Sequence, residues 1–247
     1  MAHAFEEGSS NHFLQALPRG VAARLAEELK PVPLARGTVL VHAGALAGHL
    51  YFPDRGLISL VKIMDDGRTA EVGCVGMEGM IGVPALLGMD QSAFETVVQL
   101  DGTGRSLKTS VLRAEMEASP ALKELVLRYM YYTINHLAQT AACNRLHSLR
   151  QRCCRWLLTA HDNAREPAFS LTHEFLALMM GVNRPSLSLA VAMLQRRGMI
   201  RYKRTSLAIL DRRGLESGSC ECYATMREQC EMVYSPFGSG RIKARQN

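Results

Sequence analysis

Residues 171–198 decide the fold, and they read LTHEFLALMMGVNRPSLSLAVAMLQRRG. The stretch predicts an apolar helix that starts after Thr172, a reversal at Gly181 and a second helix that Asn183 caps. Glycine suits the reversal because it takes a positive φ without steric cost. A short hairpin is predicted to follow over residues 199–210. Two short helices followed by a hairpin make up a winged helix-turn-helix.

The second helix, predicted over residues 184–197, has two different faces. An apolar stripe follows the three- and four-residue spacing of a buried helix face at Leu187, Ala190, Val191 and Leu194. The remaining surface contains no acidic residue and carries Arg184, Ser188, Ala192, Gln195 and Arg196. A face of this kind is typical of a helix that enters a groove of DNA. An ordinary helical hairpin with a solvated face is the alternative interpretation.

Positive charge is concentrated around the same stretch. Residues 145–213 contain thirteen Lys and Arg against four Asp and Glu, whereas residues 1–144 contain twelve against fifteen. The net charge of +6 for the whole chain therefore hides a basic C-terminal part and a mildly acidic N-terminal part. This asymmetry indicates that one half of the chain has a phosphate backbone as its partner.

The N-terminal part has the pattern of an all-β domain. Between residues 32 and 110, short apolar runs alternate with Gly, Pro and Asp, and Asp65-Asp66-Gly67 is a hairpin signal between two of the runs. Many short strands at such spacing predict an antiparallel β-barrel or jelly roll.

A long helix is predicted to separate the two parts, because Ser119-Pro120 is a helix start and no breaker follows until Asn144. Its apolar to mixed stripe comprises Leu122, Leu125, Val126, Tyr129, Thr133, His136, Leu137 and Thr140. A helix of roughly 25 residues measures about 37 Å. We expect a helix of this length between two small domains to pack against a second copy of the chain.

Composition excludes several classes of protein. With 47% hydrophobic and 21% charged residues, the 247-residue chain has the composition of a folded protein. No apolar run approaches the roughly 18 residues of a membrane span, and residues 1–12 lack the apolar core of a signal peptide. We therefore expect a cytoplasmic protein without membrane contact, with its seven cysteines reduced. No motif of a hydrolase, a phosphate-binding loop or a zinc protease is present, so the sequence predicts no enzyme.

The order of barrel, long helix and winged helix-turn-helix resembles the Crp/Fnr family of bacterial transcription regulators. The likeness is most specific over residues 171–188 and 194–200, and looser over residues 13–145. It implies a sequence-specific DNA-binding regulator that acts as a homodimer, with a sensor barrel of the cyclic-nucleotide-binding type. Recognition helices in successive major grooves, a two-fold-symmetric operator on double-stranded DNA and RNA polymerase as a further partner are also implied. The alternative is a ligand-binding regulatory or adaptor module whose winged helix binds protein.

The fold class that follows is α+β, with an antiparallel β-barrel or jelly roll sensor domain, a long dimerisation helix and a C-terminal winged helix-turn-helix domain. The predicted division is a disordered leader (1–12), the sensor domain (13–118), the dimerisation helix (119–145), the DNA-binding domain (146–215) and a terminal helix with a disordered basic tail (216–247).

The resemblance assigns roles in DNA binding to particular residues. Arg184 falls on the family's first base-reading position, where a guanidinium can pair with guanine O6 and N7. Pro185 and Leu189 stand where the best-known members have an acid and a second arginine, so a different half-site is expected. Thr172 and His173, and the wing residues Lys203 and Arg204, would contact phosphate. The full predicted set is Thr172, His173, Asn183, Arg184, Pro185, Ser186, Ser188, Leu189, Lys203 and Arg204.

The sensor domain departs from the family's cyclic-nucleotide cassette. In residues 82–93, Val83 and Gln91 replace the glutamate that binds the ribose and the arginine that binds the cyclic phosphate. Without that arginine a buried phosphate would lack a counter-charge, which costs several kcal/mol. We therefore expect that cyclic AMP is not the effector. A pocket at Val83, Gln91 and Ser92 would take another small molecule, an apolar one, or none.

No cofactor and no metal site are predicted. The family's redox-sensing branch holds an iron–sulfur centre with N-terminal cysteines, and no cysteine precedes Cys74 here. Cys220, Cys222 and Cys230 form a local cluster, but no histidine lies nearby in the sequence, and the C-x-C spacing differs from the usual zinc pattern. Ordinary thiols are the preferred interpretation, and metal binding or a redox role stays open.

Overall fold

The computed structural model describes residues 9–235. The leader before Ser9 and the basic tail after Ser235 lie outside the described residues. Residues 9–12, which the prediction includes in a disordered leader, belong to the fold, because Asn11 is fully buried and caps helix α1 (His12–Gln15). The Asn11 side chain donates hydrogen bonds to the carbonyl oxygens of Pro53, at 2.9 Å, and Gly79, at 2.7 Å. These bonds fix the start of the chain on the barrel.

The N-terminal barrel is an antiparallel, five-stranded sheet. Its strands are β1 (Lys30–Leu34), β2 (Val39–Val41), β3 (His49–Ile63), β4 (Thr69–Val75) and β5 (Glu95–Lys108). The order is β1-β5-β3-β4, with β2 also paired to β5, and register shifts along β3 bend the sheet. Helix α2 (Arg19–Ala26) precedes the sheet, α3 (Val83–Leu86) lies between β4 and β5, and α4 (Thr109–Ala118) follows it. The sequence patterns did not indicate β1, α3 or α4.

The long helix α5 (Pro120–Leu146) begins where predicted, with Ser119 as its cap. Leu122, Val126 and Tyr129 of the predicted stripe are buried against the barrel and the N-terminal helices. The Tyr129 hydroxyl accepts a hydrogen bond from the Met80 backbone N–H at 2.9 Å and donates one to the Met80 carbonyl oxygen at 3.1 Å. The predicted stripe therefore holds α5 on its own barrel.

The C-terminal domain has the predicted order of elements. Helices α6 (Leu149–Ala164), α7 (His173–Met180) and α8 (Arg184–Arg196) are followed by the hairpin of β7 (Ile200–Lys203) and β8 (Ser206–Ile209). Strand β6 (Ala168–Ser170), which the sequence did not indicate, completes a sheet of order β6-β8-β7. Helices α9 (Arg212–Gly218) and α10 (Cys222–Tyr234) end the described chain, and Trp156 is fully buried in the domain core.

The barrel and the C-terminal domain share one apolar core, in which Leu57, Cys74 and Leu100 of the barrel lie among residues of α6, α7 and α8. Gly76 permits the close approach, because a Cβ there would lie 1.9 Å from the Asn163 side-chain oxygen. That oxygen accepts a hydrogen bond from the Met77 backbone N–H at 2.9 Å. Helix α6 is thus docked directly on the end of β4.

A buried carboxylate lies at the same contact. Glu71 of β4 accepts hydrogen bonds from the Ser59 hydroxyl and from the Trp156 indole, the latter at 3.2 Å. Burial raises the pKa of Glu71 to about 7, against the opposing effects of these hydrogen bonds and of the Arg155 charge.

Over the described residues, no single helix is long and apolar enough to cross a membrane. Helices α7 and α8 reach that length and apolarity only as a pair, across a bend of 106°.

Candidate nucleic-acid interface and sensor cavity

The helix-turn-helix is built by local caps. The Thr172 hydroxyl accepts a hydrogen bond from the Phe175 N–H at 3.2 Å, and the Asn183 side chain accepts one from the Ser186 N–H at 2.9 Å. Gly181 ends α7 in the left-handed region, at φ 62°. The bend of 106° between α7 and α8 is in the usual range for this motif. These caps fix the direction in which α8 leaves the domain.

The N-terminal half of α8 presents most of the predicted base-reading residues to solvent. Asn183, Arg184 and Pro185 are exposed, as is Leu189 at 70%, whereas Ser186 and Ser188 are half-buried. No ion pair within residues 9–235 engages the guanidinium of Arg184. The exposed surface of the N-terminal half of α8 thus offers the cation of Arg184 for a base edge and the apolar side chain of Leu189, of a kind that contacts the thymine methyl group.

His173 lies differently from the expectation that its side chain contacts phosphate. Its ring packs on Tyr202 with ring centres 4.4 Å apart, its Nδ1 is 3.4 Å from the Ser188 hydroxyl, and its Nε2 is buried. Burial, and then the charge of Arg184, lower the pKa of His173. The ring therefore packs between the hairpin and α8. Sequence alone could not show this, because Tyr202 comes from the hairpin.

The wing carries the predicted cations at its tip. Lys203 at the end of β7 and Arg204 in the turn that follows are both exposed, and Arg204 takes a left-handed φ of 56°. The Tyr202 hydroxyl donates a hydrogen bond to the Leu171 carbonyl oxygen, which joins the wing to the segment before α7. The wing is therefore connected directly to the helix-turn-helix.

The barrel contains an apolar cavity of about 170 Å³, closed on one side by α5. Within residues 9–235, no charged side chain lines it, and the lining includes Val83 and Ser92 but not Gln91. The lining hydroxyls are bound to backbone: Ser92 donates to the Phe94 carbonyl at 2.7 Å, Thr96 accepts from the Val41 N–H at 2.9 Å, and Thr133 donates to the Tyr129 carbonyl at 3.0 Å. The cavity thus offers neither a cation nor a free hydroxyl to a ligand.

One arginine contacts helix α3, which lies beside this cavity. Arg113 of α4 donates to the Ala85 carbonyl oxygen at 2.7 Å and pairs with Asp90. It holds α3 in place and is not part of the cavity wall. The neighbouring Gln91, which replaces the family's arginine, pairs through its backbone with Leu46.

A second, more open cavity, which the sequence did not indicate, lies between α1, α5, α6 and α10, with a volume of about 740 Å³. Its charged groups are largely paired with one another: Arg212 lies 2.7 Å from Asp162, and the Tyr223 hydroxyl donates to Asp162 at 2.7 Å. The elements around it come from both ends of the described chain, so no local pattern could have revealed it.

No histidine is close to Cys220 and Cys222 in the sequence, but the structure brings one to them. His147, at the end of α5, and Cys143 lie beside both of them. Cys230 is not part of this group and packs against the core formed by α1, α2 and α5.

Comparison with known proteins agrees with this architecture. Residues 31–119 match the cyclic nucleotide-binding domain family, and residues 151–217 match the Crp-like helix-turn-helix domain family. A curated relative from Mycobacterium tuberculosis, a CRP-like cAMP-activated global transcriptional regulator, is 25% identical over 203 residues, which cover 78% of this chain and 89% of that protein.

Solved structures show the same fold. FixK2 from Bradyrhizobium japonicum superposes with a TM-score of 0.63 at 13% identity, over 78% of this chain and 98% of that one. A CRP-family regulator from Thermus thermophilus superposes with a TM-score of 0.62 at 24% identity, over 77% and 96% of the two chains. Because a cyclic nucleotide-binding domain and a Crp-like helix-turn-helix domain follow one another in this chain, the chain belongs to the Crp/Fnr family of transcription regulators.

Proposed function

We propose that the protein is a homodimeric, sequence-specific DNA-binding regulator whose helix α8 reads the major groove. The observation that carries the proposal is the exposed start of α8, where Arg184 stands without an acidic neighbour on the same face. Arg184 would pair with a guanine, and Leu189 would contact a thymine methyl group. Thr172, Lys203 and Arg204 would contact phosphates, which fix the register of the protein on the duplex.

The dimer contact is proposed on a second stripe of α5, opposite to the one that the barrel covers. This stripe, named here the outer stripe, consists of Leu127, Tyr131, Ile134, Ala138 and Ala141. All five are exposed, and Leu127, Tyr131 and Ile134 keep 52%, 56% and 67% of their surface. Their alternating four- and three-residue spacing is that of a coiled-coil seam.

A two-fold dimer along α5 would determine the symmetry and the half-site spacing of the operator. Two copies of α8 related by a dyad would enter successive major grooves, with half-sites about 34 Å apart. The sequence interpretation of a self-associating helix is therefore kept, but the face is changed: the outer stripe replaces the predicted one, whose main apolar side chains are buried within one chain.

For the effector, we propose a small apolar molecule in the barrel cavity. The volume of about 170 Å³ lies below the roughly 300 Å³ at which pockets for drug-sized ligands begin. Met130, Ile134 and Leu137 of α5 line the cavity, and Ile134 also belongs to the outer stripe. An occupant would therefore touch the helix that carries the dimer contact. The cyclic nucleotide of the mycobacterial relative has no counter-charge here.

The test is selection of bound sequences from a randomised double-stranded DNA pool, with and without cyclic AMP. We expect one two-fold-symmetric motif, enriched equally in both pools. Arg184→Ala should lose the enrichment at one position of each half-site. Arg68→Ala, which removes an exposed arginine from the β3–β4 turn, is the matched control and should keep the motif.

Other outcomes would reject parts of the proposal. Enrichment only with cyclic AMP would reject the apolar effector, and a motif without symmetry would reject the dimer. A folded dimer that binds no DNA at any salt concentration would favour the adaptor alternative, in which the exposed Leu178 and Leu189 contact a protein.

A further inference from the structure

Four metal-ligating side chains from two distant segments meet at the end of α5. Cys143 lies in the last turn of α5 and His147 is the residue that follows this helix, and Cys220 and Cys222 flank the start of α10. The four ligand atoms all lie within 4.8 Å of one another. The Cys143 and Cys220 sulfurs are 3.6 Å apart, and the Cys222 sulfur is 3.5 Å from Nδ1 of His147.

These distances match the edges of a tetrahedral site. With Zn–S bonds of about 2.3 Å and a Zn–N bond of about 2.0 Å, a regular tetrahedron has S···S edges of about 3.8 Å and S···N edges of about 3.5 Å. The sulfur separation of 3.6 Å is also far longer than a disulfide bond of about 2.0 Å, so the group is made of thiols.

The cluster is buried and separate from the apolar cores. Cys143 and Cys222 are fully buried and Cys220 is 5% exposed, and the three form a cluster of their own. The His147 side chain is 17% exposed, with its Nδ1 directed at the sulfurs. Three small side chains in a cluster of their own gain less from packing than larger apolar side chains would. Their grouping is better explained by a ligand that they share.

Neighbouring groups are arranged as they are around protein-bound metals. Nε2 of His147 lies 3.2 Å from a Glu221 carboxylate oxygen, which leaves Nδ1 to act as a ligand. A carboxylate on the far nitrogen of a ligating histidine is a recurrent feature of zinc sites. The Gln139 side-chain amide also donates to the Cys222 sulfur at 3.0 Å, which suits a thiolate.

The charge of such a site has a counter-ion. A divalent cation with three thiolates and a neutral imidazole carries one net negative charge. Arg155 of α6 is 4% exposed and close enough for its charge to interact with those of Cys143 and Cys220. Its Nε has no hydrogen-bond partner among the described residues. A buried arginine in this position would balance the metal-bound sulfurs.

We propose that Cys143, His147, Cys220 and Cys222 bind one zinc ion in tetrahedral geometry. Three sulfurs and one imidazole nitrogen are a set that selects Zn²⁺ over the harder divalent cations. Four protein ligands fill the coordination shell, which is typical of a structural site and not of a catalytic one. The ion would join the last turn of α5 to the first turn of α10.

The position gives the ion a consequence for the fold. His147 is followed by Ser148, the N-cap of α6, so the site lies at the junction of the long helix and the DNA-binding domain. A bound ion would fix the angle at which α6 leaves α5. Loss of the ion would free this junction and the start of α10.

The test measures metal content directly and needs no DNA. Full-length protein from zinc-supplemented cells is dialysed without a chelator and analysed by elemental mass spectrometry. We expect one zinc per chain in the wild type, and at least a five-fold loss in Cys143→Ser and in Cys222→Ser. Cys230→Ser, on the same helix as Cys222 but outside the cluster, is the matched control and should keep one zinc per chain.

Cobalt provides a second reading. Added to reduced, chelator-treated protein, Co²⁺ should give thiolate charge-transfer absorption and the intense visible bands of a tetrahedral site. His147→Cys should preserve tetrahedral coordination and shift these bands. This variant tests the site even if the serine variants do not fold. A metal-free wild type without cobalt bands, zinc retained by both serine variants, or cobalt bands unchanged in His147→Cys would overturn the proposal. A Cys143–Cys220 disulfide in protein isolated without air would do the same.

Discussion

The winged helix and the barrel cavity differ in what they offer to a partner. Around Arg184, Lys203 and Arg204, cationic side chains are exposed in the part of the chain where Lys and Arg outnumber Asp and Glu by thirteen to four. The barrel cavity has no charged lining residue, and its hydroxyls are bound to backbone. The C-terminal domain therefore offers cations to a polyanion, whereas the lining of the barrel cavity, over the described residues, offers none.

The largest expected effect tests the element that joins the two regions. Tyr131→Glu places a charge in the outer stripe of α5, where two copies would desolvate it. We expect a monomer, with affinity for the two-fold operator reduced by roughly 1000-fold, because each half-site is then bound alone. Sedimentation and gel-shift titration measure both effects.

Leu46→Glu is the matched control for Tyr131→Glu. Leu46 is a 73% exposed apolar residue outside α5, and its replacement should leave assembly and affinity unchanged. A Tyr131→Glu protein that remains dimeric would move the dimer contact away from the outer stripe.

The next effect concerns the contact between barrel and DNA-binding domain. Because the pKa of Glu71 is about 7 when folded and about 4.5 when unfolded, unfolding releases a proton between these pH values. The contribution of Glu71 to the free energy of unfolding should therefore be largest below pH 4.5, and should be lost as the pH rises through 7. The full loss is about 3 kcal/mol.

Glu71→Gln should remove this dependence while it keeps a partner for Trp156. Denaturant unfolding of both proteins between pH 5 and 8 measures the difference. If the two proteins respond equally to pH over this range, the buried carboxylate does not control the docking of α6.

The sequence predicted the C-terminal domain better than the barrel for a physical reason. Thr172, Gly181 and Asn183 act within a few residues of themselves, so the helix ends could be predicted to within a residue or so. Helix α5 has two apolar stripes, and only the packed structure shows which of them the barrel covers. Cys143 and Cys220 are separated by 77 positions in the chain, and no local pattern brings them together.

The sensor residues show the same limit. Replacement of the family's acid by Val83 indicated an uncharged site, and Val83 lies in the cavity wall. Gln91 was assigned to the pocket through the alignment of a motif, but the motif does not fix the path of the backbone after α3. The inward orientation of the His173 ring depends on Tyr202, which follows it by 29 positions in the sequence.

A smaller effect separates base reading from phosphate contact in the C-terminal domain. Arg184→Ala should lower affinity for the selected operator by 10- to 100-fold, about 1–3 kcal/mol, and relax the preference at one base pair. Lys203→Ala should weaken binding to all sequences alike and reduce the log–log salt slope by about 1. Equal losses on operator and random DNA for Arg184→Ala would make it a phosphate contact.

The smallest effect tests ligand binding in the barrel cavity, by thermal unfolding in the presence of two ligands. An apolar cavity of about 150 Å³ in another protein stays dry and binds benzene. Benzene near saturation should therefore raise the melting temperature of this protein by roughly 2 °C, the shift expected for a weak ligand at a few times its Kd. Cyclic AMP at millimolar concentration should leave the melting temperature unchanged, because burying its phosphate beside Val83 without a cation costs more than its base can regain. Val83→Phe, which fills the cavity, should abolish the benzene effect. A rise of the melting temperature with cyclic AMP would show that the barrel binds the nucleotide in spite of its uncharged cavity, and would contradict the proposed apolar effector.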